Sequence, residues 1–319
     1  MNLHYDVHGA ALSVQADDVH SSSIVRQLLG YFPAQAAASP DSVKITVRTA
    51  PDGLPEAPPS AIPLCQNGAG AGGWAVYEDD AGHTVRFHEA GAVRIPRNGG
   101  ASVVQLVDSG NEEDALYCLH FALVEMMKRR GKFTLHAATL ERRGHGILIS
   151  GASGRGKTTS CLSLIRSGYR CVADDHPFLE AKDGLIHARS FPEPIQVTDD
   201  TRRMIPELQA ANAPLTPGER KWLFRLEDVY GAAWAETCVP RVVLFPQVIQ
   251  WSTSYVEPMS PARVMEELLP NGFRVLDRSV ATAHFHLLAD LARQTRGYRL
   301  FLGEDVLELP KVIDPLTPD

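Results

Sequence analysis

The string Gly151-Ala152-Ser153-Gly154-Arg155-Gly156-Lys157-Thr158, followed by Thr159, fits the phosphate-binding (Walker A) pattern G-x-x-x-x-G-K-[ST]. Each position has a separable role. Gly151, Gly154 and Gly156 let backbone N–H groups turn toward phosphate oxygens without a Cβ in the way, and Ala152, Ser153, Arg155 and Thr159 complete the candidate nucleotide-binding set. Lys157 can reach the β- and γ-phosphates, and the Thr158 hydroxyl can hold Mg²⁺. Two carboxylates follow in Cys171-Val172-Ala173-Asp174-Asp175, where a short apolar run ends in adjacent acids. Neighbouring residues on a strand point to opposite faces, so one acid is expected on the Mg²⁺ side and the other on the side of a phosphoryl acceptor. His136, in Leu135-His136-Ala137-Ala138, is the third element; as a lone strand histidine it also reads as a hydrogen-bonded structural residue.

These groups need elements to hold them. Ile147, Leu148 and Ile149 predict a strand that ends at the loop, and Lys157 to Ser167 predicts a helix closed by Gly168. A strand over Thr134–Glu141, turned by Arg142-Arg143-Gly144, forms a hairpin with the loop strand and carries His136 toward the loop. Further on, Arg220, Lys221 and Arg225 lie in or beside the turn-rich Pro217–Trp222 stretch and read either as phosphate contacts or as a solvated loop. A helix is expected near 281–294, with a terminal hairpin over Gly297–Val312. His120 reads as a core residue, and His284 and His286 fall on different helix faces.

The first part of the chain alternates instead. Leu3/Tyr5/Val7, Val43/Ile45/Val47, Val85/Phe87 and Val93/Ile95 repeat with period two, the mark of half-buried strands. Ser23 is the expected cap of a short helix carrying Ile24, Leu28 and Leu29. Residues 49–73 hold five prolines and five glycines, which predicts a long mobile loop. Asn111 is the expected cap of a helix with acids in its first turn, Lys128, Arg129 and Arg130 in its last, and a Leu116, Leu119, Leu123, Met127 stripe. Gly131 ends it. The expected division is a strand-rich N-terminal domain, 1–131, and a nucleotide domain, 132–319, consistent with 319 residues being long for one core.

Composition narrows the class. A net charge of −7 argues against a nucleic-acid partner. No apolar run approaches the roughly 20 residues of a membrane helix, and the N-terminus lacks the basic-then-apolar order of a secretory signal. Five scattered cysteines without a CxxC pair read as reduced thiols, so a cytoplasmic protein is expected.

Together the hairpin histidine, the phosphate loop and the acid pair one short helix later resemble the HPr kinase/phosphorylase family. The stretch that carries the resemblance is LHAATLERRGHGILISGASGRGKTTSCLSLIRSGYRCVADDHPFL, within about 132–200. The resemblance implies an α/β (α+β overall) protein whose nucleotide domain has a carboxykinase-like phosphate-loop fold, and ATP and Mg²⁺ as cofactors. It implies a serine kinase in which His136, Lys157 and Asp174 are catalytic, Asp174 activating the acceptor hydroxyl, while Thr158 and Asp175 serve the metal. The family's Arg-then-Gly-Leu-Gly string is absent; Ala188–Pro194 stands in that region, so the reverse, dephosphorylating activity is not carried over. The overall pattern also resembles HPr-kinase-related proteins near peptide-modification systems, including kinases of lasso-peptide precursors. The expected acceptor is a protein or peptide, with a small hydroxy metabolite or a non-catalytic nucleotide-binding module as alternatives; a homo-oligomer is left open.

Overall fold

The computed structural model describes the chain apart from residues 51–53, 55–62, 68–72, 88–89, 98, 109–111, 217–220, 273–275 and 318–319, and the side chain of Ser279. The expected cap Asn111, the candidate Arg220 and most of the 49–73 stretch lie outside the described residues. Two compact units divide the chain, Met1–Arg130 and Gly131–Asp319.

The first unit runs β1 (Asn2–Val7), β2 (Ala10–Ala16), α1 (Val19–Leu29), β3 (Val43–Ala50), β4 (Cys65–Asn67), β5 (Trp74–Asp79), β6 (Gly82–Phe87), β7 (Gly91–Pro96), β8 (Ser102–Val107) and α2 (Glu112–Lys128). Its sheet has the order β1-β2-β3-β8-β7-β6-β5-β4. β2, β3 and β8 are parallel, and the remainder is antiparallel. Alternation decides the core: Val7, Val14, Val47, Val93 and Val104 are wholly buried. The cap of α1 differs from expectation. Asp18, not Ser23, precedes the first turn and accepts from the Ser21 N–H at 2.7 Å, which starts the helix earlier. In α2, Leu119, Leu123 and Met127 are buried and Leu116 and His120 half-buried, so His120 is not the core residue expected. The 49–73 stretch is not all loop, because Cys65–Asn67 pairs with β5.

The second unit runs β9 (Phe133–Thr134), β10 (Ala137–Arg142), β11 (His145–Ser150), α3 (Lys157–Arg166), β12 (Arg170–Ala173), β13 (Phe178–Lys182), β14 (Leu185–Arg189), β15 (Ile195–Val197), α4 (Asp199–Met204), α5 (Pro206–Ala210), β16 (Trp222–Phe224), α6 (Leu226–Tyr230), β17 (Thr237–Val248), β18 (Tyr255–Met259), α7 (Pro261–Gly272), α8 (Arg278–Gln294), β19 (Arg296–Leu302) and α9 (Leu309–Ile313). β17 organises it. Along one edge it pairs in parallel with β11; along the other its start pairs with β14 and the rest with β19, which in turn pairs with β18. Beyond β11 come β10 and then β12.

Central strands are covered on both faces, which is why Ile147-Leu148-Ile149 is continuously apolar. Ile147, Ile149, Val242, Leu244, Leu300 and Leu302 join Leu162, Leu164 and Ile165 of α3. Leu148, Val243 and Phe245 instead meet Val264 and Leu268 of α7 and Leu288 and Leu291 of α8. Two expectations fail here. The single strand Thr134–Glu141 is broken at His136, between β9, which pairs with β13, and β10, which pairs with β11. The terminal hairpin is absent: β19 pairs with β17 and β18, and a 3₁₀ turn Val306–Glu308 and α9 follow it, burying Leu309 and Ile313.

Candidate active site

The phosphate loop leaves the carboxyl end of β11, at the same end of the sheet as the carboxyl ends of β12, β17 and β19, all parallel to it. Open sheets bind ligands at that end. Gly154 and Gly156 have φ of 77° and 94°, a region that side chains disfavour. At Gly156 a Cβ would stand 2.6 Å from Leu302 Cδ1, a side-chain end that can turn aside, so it is the positive φ that requires glycine. Gly156 is the N-cap of α3 and offers no side-chain cap, leaving the first-turn N–H groups for an anion.

Lys157 is buried and its Nζ donates to the carbonyls of Gly151 at 2.9 Å and Ala152 at 3.3 Å, folding the chain across the loop. Burial lowers its pKa against the opposing pull of Asp175 and Asp174, and Lys221 adds to the lowering. Ala152, Ser153, Gly154 and Arg155 form the exposed tip. Thr159 is turned away, its hydroxyl 2.8 Å from that of Thr201. Of the downstream basic residues, Lys221 is therefore electrostatically coupled to Lys157, while Arg225 pairs with Glu227 at 2.7 Å.

The two acids separate sharply. The Thr158 hydroxyl donates to Asp174 Oδ2 at 3.3 Å, and Asp174 Oδ1 is buried with no hydrogen-bond partner. Burial, with Asp175 and Glu193 nearby, pushes the Asp174 carboxyl up to about 8. Asp175 Oδ1 lies 2.7 Å from His136 Nε2, and its Oδ2 lies 3.6 Å from His176 Nδ1. Burial would raise Asp175, but the His136 hydrogen bond, His176 and Lys157 hold it at about 2. Backbone bonds fix the arrangement: the Ala137 N–H donates to the Asp175 carbonyl at 2.9 Å, and the Ser150 hydroxyl donates to the His136 carbonyl at 3.1 Å.

Two residues escaped the sequence reading. His176 stacks on His136, with ring centroids 5.7 Å apart and planes at 15°. Glu193 Oε1, 3.9 Å from His176 Nδ1, is buried without a hydrogen-bond partner. His176 was legible as the neighbour of the acid pair. Glu193 comes from a separate segment after β14, and no spacing rule connects it to the loop.

Asp174, beside the Thr158 hydroxyl, and Glu193 each carry a buried carboxylate oxygen without a hydrogen-bond partner, and such oxygens suit a hard divalent cation. Among the described residues no three His, Cys, Asp or Glu side chains make a complete cage. Mg²⁺ commonly takes only one or two protein carboxylates, with phosphates and water completing its shell.

No family model matches the chain. Curated HPr kinase/phosphorylases do: that of Clostridium kluyveri is 43% identical over 56 residues, 18% of this chain and 18% of the relative. That of Lactobacillus acidophilus is 40% identical over 50 residues, 16% of each, and that of Brevibacillus brevis 40% over 63 residues, 20% of each. The matches thus span at most a fifth of the length of these relatives. The structure of the Hpr(Ser) kinase/phosphatase from Coxiella burnetii aligns with 57% of this chain and 88% of its own, at 12% identity and a TM-score of 0.32. Over the matched segment, at 40–43% identity to these enzymes, the chain is HPr kinase/phosphorylase-like.

Proposed function

We propose that the chain transfers the γ-phosphoryl group of ATP to a hydroxyl, that of a serine in a protein or peptide. The observation that supports this most is the pairing at the loop's mouth, Thr158 with Asp174 and His136 with Asp175. In this reading the loop N–H groups and Lys157 hold the phosphates, and Thr158, Asp174 and Glu193 would hold Mg²⁺, which when bound would supply charge neutralisation at the phosphoryl oxygens. In this reading the two acids take the opposite roles to those that the resemblance implied. Asp174, which touches the phosphate-loop hydroxyl, would serve the metal, and Asp175, oriented by His136, would serve the acceptor. A new bond forms between the acceptor oxygen and the γ-phosphorus as the bridging P–O bond to ADP breaks. The acceptor's proton passes to the Asp175–His136 pair.

Lys157→Ala tests the reading. Without the buried cation, Mg·ATP binding should weaken and transfer to a peptide or protein acceptor should fall by about two to three orders of magnitude. Transfer within about tenfold of the unaltered chain would remove the loop from the mechanism.

A further inference from the structure

We propose that Trp251, Tyr255 and Phe301 are the platform on which the base of the bound nucleotide stacks, an inference that rests on the nucleotide reading above. The three rings form a column. Trp251 and Tyr255 lie 5.6 Å apart at 22°, and Tyr255 and Phe301 lie 4.6 Å apart at 12°. The column ends in an indole that is 60% exposed, although burying such a ring is normally favourable.

Its place in the sheet matches one end of a nucleotide. The acids stand beyond β12, two strands to one side of β11, and the aromatic column stands at the carboxyl end of β19 and the start of β18, on the other side across β17. β18 is three strand spacings from β11, about 14 Å. A triphosphate laid in the loop with its terminal phosphate toward Asp174 and Asp175 directs its nucleoside toward β17 and β19.

The segment carrying Trp251 is held. The Ile249 N–H donates to Leu302 O at 2.9 Å, and the Glu304 N–H donates to Trp251 O at 2.9 Å. Asp305 Oδ1 accepts from the Ser254 N–H at 2.8 Å and its hydroxyl at 2.6 Å. A flat, fixed ring end suits a heteroaromatic base, which stacks through its π-face whatever its edge. The surface is also small: Val248 and Trp251 are the strongly exposed large apolar residues of β17 and the loop after it, too little for the roughly 800 Å² that each partner gives to a stable protein interface.

The test measures equilibrium binding of Mg·ATP and of inorganic tripolyphosphate to the full chain and to Trp251→Ala, Trp251→Phe and Lys157→Ala, with thermal midpoints as the folding control. Trp251→Ala should bind Mg·ATP about tenfold or more weakly and tripolyphosphate within about twofold, while Trp251→Phe keeps most of the ATP affinity. If Trp251→Ala binds ATP like the unaltered chain while Lys157→Ala loses both probes, the base lies elsewhere and the phosphate-loop reading stands. Equal loss of both probes in Trp251→Ala would also overturn the platform, since the base would not be what it senses. If the unaltered chain binds neither probe, platform and nucleotide reading fall together.

Discussion

At the scale of single residues, Asp174 and Asp175 are neighbours in sequence with opposite electrostatics. One is buried beside two other carboxylates and is pushed up to about 8; the other accepts from His136 and is held at about 2. Their amide variants should therefore fail differently. If Asp174 serves the metal as proposed, Asp174→Asn removes a metal oxygen, so the Mg²⁺ concentration for half-maximal transfer should rise, with partial recovery at excess Mg²⁺. Asp175→Asn should leave nucleotide and metal binding near those of the unaltered chain while transfer falls by about 10² to 10⁴, because an amide cannot take the acceptor's proton. Metal titrations of transfer and of binding decide it. Superimposable titrations for the two variants would defeat the assignment.

Among the elements, α1 offers the cleanest measurement. Asp18 accepts from the Ser21 N–H at 2.7 Å, the Ser21 hydroxyl at 2.8 Å and the Thr49 N–H at 3.1 Å, so it caps α1 and ties it to β3. Although burial opposes it, these bonds hold its carboxyl at about 2. The sign follows: a lowered folded pKa gives stability that is complete above the unfolded value near 4 and is lost as pH falls through about 2. Asp18→Ala should destabilise the first unit by about 1–2 kcal/mol at pH 7, as cap removals do. The gap between the two proteins should close as pH falls from about 4 to about 2. Urea midpoints at pH 7, 4 and 2.5 would show it, and a gap constant with pH would mean the loss is packing and not the ionised cap.

On the scale of the whole molecule, each unit has its own sheet and buried core, and the residues proposed to hold the nucleotide all fall in Gly131–Asp319. We propose that Met1–Arg130 selects the acceptor, since it carries folded strands and helices and none of the site. A 131–319 fragment should then fold cooperatively and bind Mg·ATP as the full chain does, but lose most transfer to the protein or peptide acceptor. Calorimetric binding and labelled-phosphate transfer test the two halves separately. Transfer by the fragment at the full-length rate would assign recognition to the second unit.

What the sequence determined by itself was whatever depends on near neighbours. The loop glycines, the strand and helix either side of them, the β10–β11 hairpin and the acid pair all lie between His136 and Asp175, and their types and spacing prescribe local backbone geometry. Tertiary structure decided what depends on distant pairing. Which acid meets Thr158 follows from how β12 ends against α3, and period two alone shows only that the acids diverge, not which faces the loop. Glu193, some forty residues past the loop, reaches the site because β13 and β14 return the chain to it. Tyr298, Leu300 and Leu302 alternate as a strand in any context, but β17 and β18 claimed both edges of β19 and left the tail no partner, so it closed as α9. Sequence spacing encodes short-range geometry; strand partners are chosen by the competition of every apolar edge in the chain for burial.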